Sequence, residues 1–131
     1  MGGELISAIL SQKPLGGINL VLQPMTKAPY LRKFLAENGF ELLGETAVSE
    51  SSRLYTVMNA VFTGKNHEIS EFETLVGKLS PSEETAKRLI LNISEKLAKE
   101  SSALAASGNA ELSEHRRSLS EQIRKYANTN L

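Results

Sequence analysis

The sequence predicts an α/β fold that ends in a pair of antiparallel helices. Three observations lead there. Short branched runs suited to strands alternate with segments whose apolar residues recur at helical spacing, in the order helix, strand, helix, strand, strand. Only a short polar stretch around Ser51-Ser52 separates the last two strands, which suits an antiparallel hairpin. From residue 81 onward, apolar positions repeat at three- and four-residue spacing over two long stretches, the pattern of a helical hairpin.

Each element has its own signal. Leu5, Ile6, Ile9 and Leu10 share one face of a helix over residues 3–12, which Pro14 and Gly16-Gly17 end. Residues 18–22 are a short apolar run, typical of a strand buried on both faces. Leu31, Phe34 and Leu35 mark the inner side of a helix over residues 27–37, with Arg32, Lys33 and Glu37 outside. Asn38-Gly39 supplies its left-handed C-terminal cap. Residues 40–48 and 54–62 are the paired strands. The second, LYTVMNAVF, is apolar almost throughout and suits the centre of a sheet. Ile69, Phe72 and Val76 then suggest a short helix ending at Gly77.

Ser80, Pro81 and Glu83 read as a capping box with proline at the first helical position. Ala86, Ile90, Ile93, Leu97 and Leu104 form a seam in which Glu100 occupies the one missing apolar position. Gly108 stops this helix and Asn109 caps the next, where Leu112, Leu119, Ile123 and Tyr126 continue the seam. The expected organisation is an α/β part over residues 1–64 and a helical extension over 65–131, with its hairpin at 81–127.

Composition narrows the function classes. A chain of 131 residues, 40% hydrophobic, fits a small globular domain with a core. Fifteen basic and fifteen acidic side chains cancel, so no global charge draws the chain to nucleic acid or membrane. With no cysteine there is neither a disulfide framework nor a thiolate metal site. His67 and His115 lack metal-ligand spacing, and no metal is expected. No apolar run is long enough to span a membrane. MGGELISAIL has no basic n-region and no cleavage site, so the expected location is the cytoplasm.

Several residue groups carry candidate chemistry, each beside a plainer reading. Gly2-Gly3 at a helix start leaves free N–H groups and no bulk, which suits an anion or a flat ligand; two glycines after a Met also make a flexible end. Gln23-Pro24 follows a buried strand at its carboxyl end, where open α/β sheets bind ligands. A Gln there both donates and accepts, which suits a neutral heterocycle edge; the alternative is a turn former. Lys27, Arg32 and Lys33 beside Tyr30 form a basic patch for a phosphate, or a solvated helix face. Arg116-Arg117 and Arg124-Lys125 concentrate positive charge on the last helix and are candidate RNA-backbone contacts. The apolar seam suits a structural hairpin or a dimer contact. No histidine is placed to activate a serine nucleophile.

MGGELISAIL, then LVLQPMTKAPYLRKFLAENGFEL, then a Glu-containing strand and a strand opening on Leu-Tyr, together resemble the bacterial tRNA adenine-N1 methyltransferases that modify adenine 22. The resemblance runs in register from residue 1 to 64 and is architectural beyond that. It implies a Rossmann-like class I methyltransferase sheet that uses S-adenosylmethionine and acts on tRNA. The MGG turn of that family follows the fourth strand and the LQP turn the fifth, at the edge where methyl donor and target base meet. Gly2, Gly3, Gln23 and Pro24 thereby become candidate catalytic-edge residues, and Gly2 and Gly3 candidate cofactor contacts. The family often has Asn after LQP; Met25 stands there in this chain.

The family also carries a glycine-rich loop after its first strand and an acidic residue after its second, both upstream of MGG. No second copy of that loop occurs in this sequence. The resemblance therefore implies the C-terminal portion of such an enzyme, with the donor-binding half absent and the chain inactive alone. Self-association through an exposed sheet edge or the helical hairpin is expected. The alternative is a non-catalytic interaction or RNA-binding module whose hairpin dimerises.

Overall fold

The computed structural model describes residues 2–11 and 19–129. The expected helix stop at Pro14 and Gly16-Gly17, together with Met1 and Ile18, lies outside the described residues. The elements are α1 (Gly3–Leu10), β1 (Asn19–Leu22), α2 (Ala28–Glu37), β2 (Phe40–Glu50), β3 (Arg53–Phe62), α3 (Glu71–Val76), α4 (Glu84–Ala106) and α5 (Ala110–Ala127). The chain divides into two compact units, Met1–Ser80 and Pro81–Leu131. Residues 65–80, grouped by sequence with the helical extension, lie in the first unit.

In the first unit three strands pair in the order β1-β3-β2, with β3 antiparallel to both neighbours. The apolar β3 takes the centre. Ser51 and Ser52 both have positive φ, as a tight hairpin turn requires. One face of the sheet supports a core of Ile6, Leu31, Leu35, Phe40, Met58 and Ala60.

Two expected faces need correction. Among the described residues β1 is not buried on both sides: it is an edge strand whose residues alternate between exposed and half-buried, and Val21 is 75% exposed. A strand with one neighbour and one covered face cannot bury every side chain. In α1 the buried face is Gly3, Ile6 and Ser7, while Leu5 and Ile9 are exposed. Small residues line the contact because α2 approaches closely, and the Ser7 hydroxyl is satisfied by the Gly3 carbonyl.

A β-bulge sets the phase of β2. Phe40 and Leu42 pair with Phe62 and Ala60, and their side chains meet the core. Leu43 is the extra residue: the register jumps from Leu42↔Ala60 to Gly44↔Asn59. Strict alternation would point residue 44 inward. After the bulge, Glu45 and Ala47 take the inward positions instead.

α3 begins with a complete capping box, in which the Ser70 hydroxyl accepts from the Glu73 N–H and the Glu73 carboxylate accepts from the Ser70 N–H. The box expected at Ser80 does not start a helix. Residues 81 and 82 form a turn, and α4 begins after Glu83, whose backbone is extended. Pro81 thus precedes the cap rather than occupying the first helical position.

In the second unit α4 and α5 run antiparallel. Ser94 bonds across to Ser120, and Ser101 to Ser113. Each of these four hydroxyls is satisfied by the facing residue's carbonyl or hydroxyl, so no buried donor is left over. The buried positions are Ala86, Ile90, Ser94, Leu97 and Ser101 on α4 and Leu119, Ser120, Ile123 and Ala127 on α5. Ala86, Ile90, Leu97, Leu119 and Ile123 of the expected seam are buried, while Ser94 and Ser101 fill the places assigned to Ile93 and Glu100, Ile93 is half-buried, and Leu112 is exposed. Among the described residues no helix is long and apolar enough to cross a membrane.

Candidate functional site

Two chain segments meet at the carboxyl end of β1. The Gly3 N–H donates to the Thr26 carbonyl at 2.8 Å, fixing the start of α1 against the turn that follows Gln23-Pro24. A Cβ on Gly3 would lie 2.4 Å from the Lys27 carbonyl oxygen, and one on Gly2 would lie 2.7 Å from the Thr26 hydroxyl. Glycine is therefore required at position 3 by the backbone of the turn itself. Lys27 caps α2 in the left-handed conformation, with φ 55°, and its carbonyl accepts from Leu31. Pro24 is buried. Gln23 is exposed, and its side chain makes no hydrogen bond among the described residues.

The basic candidates of the first unit differ in their surroundings. The Lys27 ammonium donates to Glu4 at 2.8 Å; this hydrogen bond, and then the Glu4 charge, raise its pKa above the ordinary value. Lys33 is exposed. Arg32 was expected on the outer side of α2, facing RNA, and is buried instead. Its Nε and Nη2 donate to the two carboxylate oxygens of Glu45 at 2.9 and 2.7 Å, and its Nη1 donates to the carbonyls of Thr74 and Leu75. A guanidinium so engaged has no reach to a phosphate. Glu45 also accepts from the Thr56 hydroxyl at 2.6 Å and the Lys78 N–H at 3.0 Å.

In the second unit, Arg116 lies 3.9 Å from Glu100 and is half-buried. Arg117 pairs with Glu114, whose hydrogen bond and charge raise the arginine pKa. Arg124 and Lys125 are exposed in the last turn of α5, where positive charge suits the helix dipole. No group of three or more metal-ligating side chains occurs among the described residues.

A family model described as tRNA (adenine(22)-N(1))-methyltransferase, TrmK, matches residues 1–128. The chain belongs to the TrmK family. Its fold also resembles solved structures. One is a Streptococcus agalactiae protein of the NADB-Rossmann superfamily, 24% identical with a TM-score of 0.74, covering 95% of this chain and 56% of that one. Another is the B. subtilis m1A22 tRNA methyltransferase TrmK, 21% identical with a TM-score of 0.70, covering 95% and 60%. A third is M. capricolum TrmK in complex with S-adenosyl-homocysteine, 14% identical with a TM-score of 0.69, covering 95% and 57%. At such identities the likeness is one of fold. The chain spans somewhat more than half the length of these proteins. None of the curated proteins compared with it matches.

Of the residues singled out in this TrmK-family chain, Gly2, Gly3, Gln23 and Pro24 fall at one edge of the first unit. The Arg32–Glu45 pair escaped the sequence reading because its phase depends on the bulge at Leu43. The available signal was a charged residue in an otherwise apolar inner strand face, with Gly77 as the backbone that must pass beside it. A Cβ on Gly77 would lie 1.8 Å from a Glu45 oxygen.

Proposed function

We propose that this chain forms part of an S-adenosylmethionine-dependent methyltransferase that acts on N1 of an adenine in tRNA, with its donor-binding glycine-rich loop and acidic residue supplied from outside these residues. The observation that carries the reading is Gln23: an exposed amide with no hydrogen bond among the described residues, at the carboxyl end of β1, beside the α1 start. Its amide offers a donor and an acceptor to a purine edge without adding a charge. Gly3 contributes shape at this edge rather than hydrogen bonding, since its N–H is committed to Thr26, and Gly2 stands beside it. S-adenosylmethionine supplies an electrophilic methyl on a sulfonium.

Adenine N1 lies on the pairing edge, so the base must be unpaired or extruded first. S-adenosylmethionine would supply the methyl carbon to the N1 lone pair and leave as the sulfide, and the part of this chain is to hold the adenine in line. N1 of neutral adenine carries that lone pair already, so the attack needs positioning rather than proton removal. Lys27, Lys33, Arg116, Arg117, Arg124 and Lys125 are the proposed phosphate contacts. The helical hairpin has coiled-coil character in this reading, and the enzyme acts in the cytoplasm.

The test is single-turnover methylation of unmodified tRNA by this chain joined to the donor-binding segment of a family member. Gln23→Ala should slow the reaction roughly tenfold to a hundredfold, the loss of about 1–3 kcal/mol of hydrogen bonding. A product other than N1-methyladenosine overturns the function; an unchanged rate reduces Gln23 to a turn former.

A further inference from the structure

We propose that the groove between the start of β2, the 63–69 segment and α3 binds an unpaired nucleotide of the RNA substrate, separate from the target base. The proposal rests on the reading of the chain as part of an RNA-modifying enzyme.

The groove has a volume of about 610 Å³, within the range of small-ligand sites. Its walls are pinned by the chain's own bonds. On one side, Thr63 and Gly64 donate to the Gly39 carbonyl and His67 donates to the Ala36 carbonyl. On the other, the Lys78 N–H is held by Glu45 while Arg32 grips the carbonyls of Thr74 and Leu75. Below them Phe40 packs edge-to-face on Phe62 at 5.2 Å. A site built this way loses little freedom when a ligand enters.

The lining matches the parts of a nucleotide. Leu42 and Ile69 offer apolar surface for a base, and the His67 ring is a stacking partner. Lys65 and Lys78 are exposed, and among the described residues neither ammonium has a carboxylate at ion-pair distance. Two such cations suit a phosphate. The Glu41 carboxylate accepts from a base amino group, and the Asn66 amide both donates and accepts. Glu73 also lines the groove but is occupied by the capping box. Glu41 disfavours a bare anion, whereas a nucleotide satisfies carboxylate and cations together.

Sheet register separates this site from the methyl-transfer edge. Phe40 pairs with Phe62, and Asn19 with Val61, so the groove lies toward the amino end of β1. Gln23 follows the opposite end, about 13 Å along the strand.

The experiment is a nuclear magnetic resonance titration of the full chain with a 5′-phosphorylated RNA tetranucleotide, with adenosine monophosphate and with inorganic phosphate, alongside tRNA binding at several salt concentrations. The tetranucleotide should shift the amides of Lys65, Asn66, His67 and Lys78, and phosphate alone should not saturate them. Lys65→Ala with Lys78→Ala should weaken tRNA binding and lower the salt slope by about 0.7, the value for one single-strand phosphate contact. Lys96→Ala with Lys99→Ala is the charge-matched control and should leave binding unchanged. Saturation by adenosine monophosphate as tight as by the tetranucleotide would assign the groove to a free nucleotide and overturn an RNA site. Shifts elsewhere, an equal loss in the control pair, or saturation by phosphate alone would also overturn it. If the chain binds RNA and the groove variants bind as well as the parent, only the groove fails; if no RNA binds, the functional reading fails with it.

Discussion

The Arg32 guanidinium and the Glu45 carboxylate form a two-point ion pair, at 2.9 and 2.7 Å, with side chains only 2% and 0% exposed. The pair joins α2 to β2. Through Thr56, Lys78 and the carbonyls of Thr74 and Leu75 it also joins β3 and the end of α3. Fork geometry and further hydrogen bonds offset the desolvation of both charges.

Removing one partner should therefore cost more than removing both. Arg32→Met leaves a buried carboxylate unpaired and should lower stability by about 3–5 kcal/mol. Arg32→Met with Glu45→Leu should recover part of that loss, short of the hydrogen bonds that Thr56, Lys78 and the α3 carbonyls forfeit. Urea midpoints of the parent and the two variants decide the matter. A double variant no better than the single would show that those secondary bonds dominate.

Gly77 is constrained twice, by φ 61° and by contact with the pair. An added Cβ would lie 1.8 Å from a Glu45 oxygen and 2.3 Å from the Arg32 Nε. Gly108 has φ 85° but open space around it. Gly108→Ala should cost only the left-handed backbone penalty, about 1–2 kcal/mol. Gly77→Ala must also displace the pair and should be several-fold worse. Equal shifts in thermal midpoint would mean that the crowding at Gly77 relaxes without cost.

The serine pairs should tolerate loss better than enlargement. Ser94→Ala with Ser120→Ala removes matched partners and should change stability by less than about 1 kcal/mol. Ser94→Leu forces bulk between two helices in close contact and should cost about 1–3 kcal/mol. The helical circular-dichroism signal on heating reports both. A stabilised Ser94→Leu variant would show that a void lies between the helices.

At the candidate methyl-transfer edge, Gly3→Ala should detach the Thr26-Lys27 turn, because the added carbon meets the Lys27 carbonyl at 2.4 Å. Protection of the Gly3 amide against hydrogen exchange should fall while that of β3 is retained. Unchanged protection would mean that the turn shifts to accept the methyl group.

The β1 edge should drive self-association, since Val21 is 75% exposed on a strand with one partner among the described residues. Light scattering at micromolar concentration should show species larger than a monomer, and Val21→Lys should reduce them. A monodisperse parent chain would count against the edge.

Local signals in the sequence determined the elements: the helical spacing of Leu31 and Leu35, the Ser51-Ser52 break between strands, the apolar run that places β3 at the centre, and the alternating repeats of the last two helices. These depend on neighbours a few residues apart, and so can be read along the chain. Resemblance along residues 1–64 pointed to the family. Tertiary structure decided which face each element buries. Arg32 reads as a surface cation until the bulge at Leu43 turns Glu45 inward to meet it. Ile93 and Glu100 read as the seam positions until Ser120 and Ser113 satisfy the hydroxyls of Ser94 and Ser101 from the facing helix. Gly3 reads as a ligand-facing glycine until the Lys27 carbonyl occupies the space its side chain would need. In each case the deciding partner is 12 or more residues away in sequence. A buried polar group or a missing side chain is explained only by the atom it meets, and the fold alone brings that atom there.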